Sequence, residues 1–302
     1  MEGFRSTSDR QDETFTDLRR AGPTAARMLV GAQLRRFRLR AGIGREEAGA
    51  AIRASESEVR GLELGRSGFR RRDVVDLLTL YGVADEAERQ AVLELAEQAG
   101  APGWWQRYDD VVPAWHEPYL GLEQAASVIR CYEVGNIPEL LQTPDYTRAV
   151  VRSQHPAATE AEVARHVDLL SERQRILWHA EPAHLWAVID ETALRRPPGG
   201  VEEMRDQLRH LIEVMAELPN VTVQVLPLSG GGHVATSGPI ALLRFPEDEL
   251  PDIVFLRQLN GAVYLDEPSH TDRYRDVLDQ LVVHAELPIE TGLILSRIID
   301  EI

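Results

Sequence analysis

Lysine is absent from this 302-residue chain, so all 33 basic residues are arginine. With abundant alanine, glycine and proline, that absence points to a G+C-rich bacterial coding sequence rather than to a physical function. The single cysteine, Cys131, cannot close an internal disulfide, and no CxxC pair offers a zinc site, which fits a reducing cytoplasm. No apolar run reaches the ~18 residues needed to span a membrane. The polar N-terminus lacks the apolar core of a secretion signal. The expectation is therefore a cytoplasmic protein, nucleoid-associated if it binds DNA, with no membrane contact, metal or cofactor. The length favours two domains over one, and 43% hydrophobic residues suffice for a sizeable core. Residues 1–26 are expected to form a disordered arm, able at most to reach into a minor groove.

Positive charge is scarce overall but concentrated. The formal net charge is −16. Residues 27–72 nevertheless hold twelve arginines against five glutamates, a balance of +7 that leaves −23 for the rest. So sharp a split gives one part of the chain a surface suited to phosphates and another that repels them.

The basic stretch coincides with a helical pattern over 27–82. Val30, Leu34, Phe37 and Ala41 lie on one helix face, which Gly42 stops. A short helix from Arg45 buries Ala48 and Ile52. The turn Arg53-Ala54-Ser55 follows, and Ser55 can cap a helix that buries Val59 and Leu62 and ends at Gly65. Val74, Leu77, Leu78 and Tyr81 mark one more helix. In such a helix-turn-helix the second helix enters the major groove with its first residues toward base edges. Those residues are Glu56, Ser57 and Arg60, with Gly61 permitting close approach. Arg45 can reach a phosphate or a guanine edge; arginine pairs bidentately with guanine and glutamate accepts from cytosine. Arg35, Arg38, Arg53, Arg66, Arg70, Arg71 and Arg72 would hold phosphates.

The stretches LRRFRLRAGI (34–43), EEAGAAI (46–52) and SESEVRGLELGR (55–66) resemble XRE-type regulators with a lambda-repressor-like helix-turn-helix. That family usually has glutamine where this chain has Arg45, glycine where it has Arg53, and a basic residue where it has Glu58. An arginine at the turn implies a non-glycine backbone or strain there, and Glu58 weakens the local field.

Residues 83–117 read as a connector: an amphipathic helix with Val92, Leu95, Ala96 and Ala99 on one side, then APGWWQRYDDVVPAW. Its aromatics suit a hinge packed on the second domain, a ligand lid or a dimer contact. Over 118–302, SVIRCYEV and LWAVIDE read as strands, and VTVQVLPL, IALLRF, DIVFLRQL and AVYLD as further strands of one central sheet. Thr159 and Glu162 form a capping box opening a long helix. Met204, Leu208, Leu211, Met215 and Leu218 mark another helix, and two helices close the chain. The fold expected is multi-domain: an all-α helix-turn-helix domain followed by an α/β domain, a mixed sheet covered by helices.

The words GWWQRY, YLGLE, IPELLQTPDY, ERQRIL, LWAVIDETALRRPPGG, NVTVQVLP, GPIALLRFP and YLDEP are similar to a C-terminal domain of unknown activity. That domain is fused to XRE-type regulators in high-G+C bacteria and is also described as antitoxin-like. The resemblance implies a transcriptional regulator whose second domain senses a ligand, dimerises, or binds a small acidic partner protein.

Catalysis finds little support. Asp190 and Glu191 are adjacent on a strand and point to opposite faces, so an ion-pair role is favoured. His233, Thr236 and Ser237 share a glycine-rich loop without a GxSxG elbow or flanking acid, and Gly230 to Gly232 do not match a phosphate-binding loop. The histidines, His179 and His184 among them, show no metal spacing. A small-molecule pocket, if present, is expected near Glu139, Gln142, Tyr146, Arg173, Arg175, Asp190, Glu191 and Arg195, polar groups bordering apolar elements. The function expected is a sequence-specific DNA-binding regulator acting as a homodimer on double-stranded DNA. An antitoxin-like interaction module, or an enzyme with a DNA address, stands as the alternative.

Overall fold

The computed structural model describes residues 22–230, 238–248 and 250–302. Residues 1–21 of the expected arm, and the loop residues His233, Thr236 and Ser237, lie outside them. The chain divides into two compact units.

The first unit comprises residues through Gln106, with Gly121–Ala125 and Glu247–Leu250. It is built on five helices: α1 (Gly22–Arg40), α2 (Arg45–Ile52), α3 (Glu56–Glu63), α4 (Arg71–Leu80) and α5 (Glu86–Ala99). Phe37, Leu34, Ala48, Val59, Val74, Leu77 and Leu78 form its core, as the helical spacing requires. Two expectations need correction here. Residues 22–26 are the first turns of α1 rather than an arm, because Thr24, Ala25 and Ala26 are buried. The segment 86–99 packs on α1 and α4 through Val92, Leu95, Ala96 and Ala99, so α5 completes this unit instead of leading away from it.

The second unit carries α6 (Glu117–Ala125) as far as Leu120, then a six-stranded sheet. The strands are β1 (Val128–Glu133), β2 (His184–Asp190), β3 (Val221–Leu226), β4 (Ile240–Arg244), β5 (Ile253–Gln258) and β6 (Gly261–Leu265). Their order is β3-β2-β1-β4-β5-β6. β1 pairs parallel with β2, and β2 with β3; β4, β5 and β6 add antiparallel. Between β1 and β2 run α7 (Pro144–Gln154) and α8 (Glu160–Gln174), the latter opened by the Thr159/Glu162 capping box. A single turn, α9 (Glu191–Leu194), and α10 (Val201–Glu217) follow β2, and α11 (Pro268–His284) and α12 (Pro288–Glu301) end the chain. Alternation along the strands sends Tyr132, Val188, Leu226, Ile240, Leu242 and Val254 to one face, beneath Leu278 and Leu281 of α11. Ile129, Cys131, Ala187, Ile189, Val223 and Val225 project from the other. The mixed, helix-covered sheet is the architecture the sequence pattern predicts.

Candidate nucleic-acid interface and a second polar cluster

Helices α2 and α3 are held by specific chemistry. Ser55 accepts from the Glu58 backbone N–H at 3.2 Å, and the Ser55 backbone N–H donates to Glu58 Oε2 at 2.7 Å. This reciprocal capping box explains Glu58: hydrogen bonds from Ser55 hold its carboxylate below the usual range, where it completes the start of α3. The sequence pattern S-x-x-E carried that signal. Arg53 sits at φ 58°, ψ 41°, in the left-handed region. Gly49 matters as well, because a Cβ there would overlap the Ala54 carbonyl oxygen across the turn.

The internal face of the motif is pinned by an ion cluster. Arg38 donates from Nε to Glu63 Oε1 at 2.5 Å and from Nη2 to Oε2 at 3.1 Å, while Arg45 Nε reaches Oε2 at 2.9 Å. Arg38 also holds the Ile43 carbonyl at 2.9 Å. The Arg38 and Glu63 side chains are only 6% and 3% exposed. Arg38 therefore ties α1, the following turn and α3 together, and the phosphate-holding role expected for it is withdrawn. Arg45 is shared: one edge serves Glu63, and the side chain stays 30% exposed. Burial drives the hydroxyl of Tyr81, beside this cluster, up to about 12.

The opposite face is open. Ser55, Glu56, Ser57 and Arg60 are exposed along α3, and Arg35, Arg53, Arg66, Arg70, Arg71 and Arg72 are exposed elsewhere in the unit. Arg70, Arg71 and Arg72 pair with Asp73, Glu97 and Asp76, but remain 85%, 60% and 82% exposed. Such pairs are weak enough to exchange for phosphate. Gly61 is partly buried; a Cβ there would meet Ser67 Oγ at 3.0 Å, so its smallness serves packing within the unit.

The eight residues expected around a ligand do not form one group. Gln142 and Tyr146 are spent on the loop after β1: Gln142 Nε2 donates to the Ile137 carbonyl at 2.7 Å, and the Ile137 N–H donates to Tyr146 Oη at 3.2 Å. Asp190 caps α9 by accepting from Thr192 N at 2.9 Å, and Tyr132 Oη donates to it at 3.3 Å. Glu191 accepts from Arg195 and from Leu228 N, and Arg195 also binds Glu301. Arg175 is exposed and pairs with Glu172. Two ion pairs form within the eight, Glu191 with Arg195 and Glu139 with Arg173, and they belong to different clusters.

The Glu139–Arg173 pair belongs to a cluster the sequence reading missed. Arg257 donates to Glu139 Oε1 at 2.5 Å. Burial works against ionisation of Glu139, but Arg257 and then Arg173 outweigh it and hold the carboxyl well below its usual range. Glu133, at the end of β1, shows the reverse: burial and the Glu139 charge push it up to about 8. His116 stacks on Tyr119 at 5.3 Å, Tyr119 lies 4.3 Å from Phe255, and Tyr264 Oη bonds the Trp115 carbonyl at 2.9 Å. Burial, then Arg173, lowers His116 to about 3, and its buried Nδ1 has no partner among the described residues. Period-2 alternation was the available signal, since Phe255 and Arg257 share a face, but pairing β5 with β1 through β4 needs the sheet order. Among the described residues no group of His, Cys, Asp or Glu gathers to hold a metal ion, and no helix is long and apolar enough to cross a membrane.

The helix-turn-helix geometry agrees with comparison to known families. A helix-turn-helix domain family matches residues 29–92, and the family described as a domain of unknown function, DUF5753, matches residues 117–297. No curated protein and no solved structure matches the chain. The first match identifies residues 29–92 as a helix-turn-helix domain, a fold that suggests DNA binding. Because the second match spans more than half of the sequence, the chain belongs to the DUF5753 family, carried here behind that helix-turn-helix domain.

Proposed function

We propose that the protein is a sequence-specific transcriptional regulator of XRE type, which binds double-stranded DNA as a homodimer under the control of its C-terminal domain. The carrying observation is the polarity of α3. Val59, Leu62 and Glu63 anchor one side, while Glu56, Ser57 and Arg60 stand exposed on the other, in a unit whose other exposed arginines include Arg35, Arg53, Arg66 and Arg70 to Arg72. A helix locked on one face and polar on the other is what insertion into a major groove requires. One short reader helix sees few base pairs, so paired half-sites about 34 Å apart supply the remaining discrimination.

The test separates base reading from phosphate holding. Arg60→Ala should relax base preference by about 1–3 kcal/mol, whereas Arg70→Ala should weaken all duplexes alike and reduce the salt slope by about one. Competition binding at several salt concentrations, on an operator found by selection from random duplexes, reads both. If both variants bind every duplex as the parent does, α3 is not the reader.

The C-terminal domain is read as a binder rather than a catalyst, since Asp190 and Glu191 are occupied as cap and ion-pair partners. A second reading, an antitoxin-like module that neutralises a small partner protein, draws on Val283, Leu287, Ile289 and Leu293, which are 81%, 61%, 86% and 71% exposed around the α11–α12 turn. Copurification of a small protein that is lost on Ile289→Asp would favour that reading over ligand control.

A further inference from the structure

The second unit contains a polar recess that none of its structural bonds explains. β1 and β5 both run antiparallel to β4, so their carboxyl ends lie at the same edge of the sheet. The chain leaves β1 toward β2 on one side, and β4 lies on the other. In open α/β sheets such a switch of direction, outside the carboxyl ends of the strands, is where ligands bind. Cys131, Ala241 and Phe255 stand in register across β1, β4 and β5. Two residues further along β1 and β5, Glu133 and Arg257 project from the same face, their strands about 10 Å apart. One row back, between Cys131 and Phe255 in the middle of a six-stranded sheet, Ala241 keeps partial solvent access. Partial access on a central strand leaves a shallow recess over β4, with Ala241 on its floor.

The walls carry unused chemistry. Glu133 is only partly exposed and has no hydrogen-bond partner among the described residues. Arg257 uses Nη1 on Glu139, and its other N–H donors have no partner among them, while its side chain is 39% exposed. Tyr119 and Phe255 add an aromatic side. We propose that this recess binds a small zwitterion, a free amino acid or short peptide, with its ammonium on Glu133 and its carboxylate on Arg257. An ammonium satisfies the unpartnered carboxyl, and a carboxylate matches the guanidinium fork. The aromatic wall takes an apolar side chain. This rests on reading the domain as a sensor, and it names the class of signal.

Binding ionises Glu133, so its proton passes to solvent as the ammonium docks. With Glu133 held near 8, about one proton is released per ligand at pH 7.

The experiment is calorimetric titration of the full chain with the common L-amino acids and a set of dipeptides, each with its N-acetyl and carboxamide derivatives. At least one zwitterion should bind with a Kd below about 1 mM. Either derivatisation should weaken it about tenfold or more, and heats in buffers of different ionisation enthalpy should report proton release. Whether amino acids or dipeptides bind identifies the source. Glu133→Gln should abolish ammonium recognition and the released proton while keeping the fold. Ala241→Val, which fills the floor and alters neither charge, should also block binding. The proposal is overturned if no member of the panel binds, if the blocked derivatives bind equally well, or if both substitutions leave binding intact. Operator affinity with and without the ligand separates the two readings: binding without any change in operator affinity keeps the site and removes the sensor role.

Discussion

Arg53 occupies a left-handed conformation that costs a residue bearing a Cβ roughly 1–2 kcal/mol. Glycine would avoid that cost, so Arg53→Gly should stabilise the N-terminal unit by about 1 kcal/mol, raising its melting temperature by about 4–8 °C. The exposed guanidinium would be lost with the strain. DNA affinity should fall for all sequences alike, with a shallower salt dependence. A variant that melts higher and binds as before would show that the arginine serves no phosphate. Ionisable residues of the second unit make a pH-dependent claim. Glu133, facing the Glu139 charge and the Arg257 guanidinium, is raised from 4.5 to about 8 by burial and Glu139. Its contribution to stability is complete below 4.5 and is lost as pH rises through about 8. His116, lowered from 6.5 to about 3 by burial and Arg173, contributes above 6.5 and loses that as pH falls toward 3. Between pH 6.5 and 8 only Glu133 of the two changes. Urea unfolding of Glu133→Gln should therefore show a stability advantage over the parent that grows across that window and then levels. An advantage that stays constant with pH would mean that Glu133 titrates normally.

At the scale of elements, the reader helix is placed by the buried Glu63 between Arg38 and Arg45. Removing one member of a buried ion pair leaves the other charge uncompensated and costs about 3–5 kcal/mol. Glu63→Gln keeps the volume and should produce that loss in thermal unfolding, with loss of DNA binding at any temperature where the unit has melted. The double change Arg38→Met with Glu63→Leu removes both charges and should recover most of the stability; if it is as damaging as the single change, packing rather than charge holds α3. Much of this level was legible beforehand. Helical spacing placed Val59 and Leu62 inward, Ser55 marked the start of α3, the Thr159/Glu162 capping box marked that of α8, and short apolar or alternating runs found all six strands. The Arg38–Glu63 contact was not legible, because twenty-five residues separate two charges that sequence alone assigns to solvent or phosphate. The Glu133–Arg257 recess escaped for the same reason: it exists only once β4 is inserted between β1 and β5.

On the whole molecule, charge and covalent order do not divide the chain in the same way. The excess of arginine ends near residue 72, yet the unit that carries it draws in Gly121–Ala125 and Glu247–Leu250 from the acidic remainder. No pattern of composition announces so discontinuous a unit, since it depends on one close approach. Gly121 lies against Thr24 of α1 and the ring of Trp105, where a Cβ would come within 2.6 Å of the Thr24 Cβ and 2.7 Å of the Trp105 ring. Leu122 and Ala125 beside it are buried. A fragment ending at Gln106 keeps α1 to α5 and the reader helix, but exposes Thr24 and Trp105 where the Gly121–Ala125 segment lay. A fragment ending at Ala125 restores that cover. Burying a leucine and its neighbours stabilises by about 2 kcal/mol, so the longer fragment should melt about 8–16 °C above the shorter one when followed by far-ultraviolet circular dichroism. Well below both transitions the two should bind DNA alike, because α2, α3 and their arginines are common to both. Identical melting curves would mean that the returning segment stabilises nothing and that the DNA-binding unit ends where its helices do; a difference in DNA affinity at low temperature would instead place 107–125 in the DNA-reading function itself.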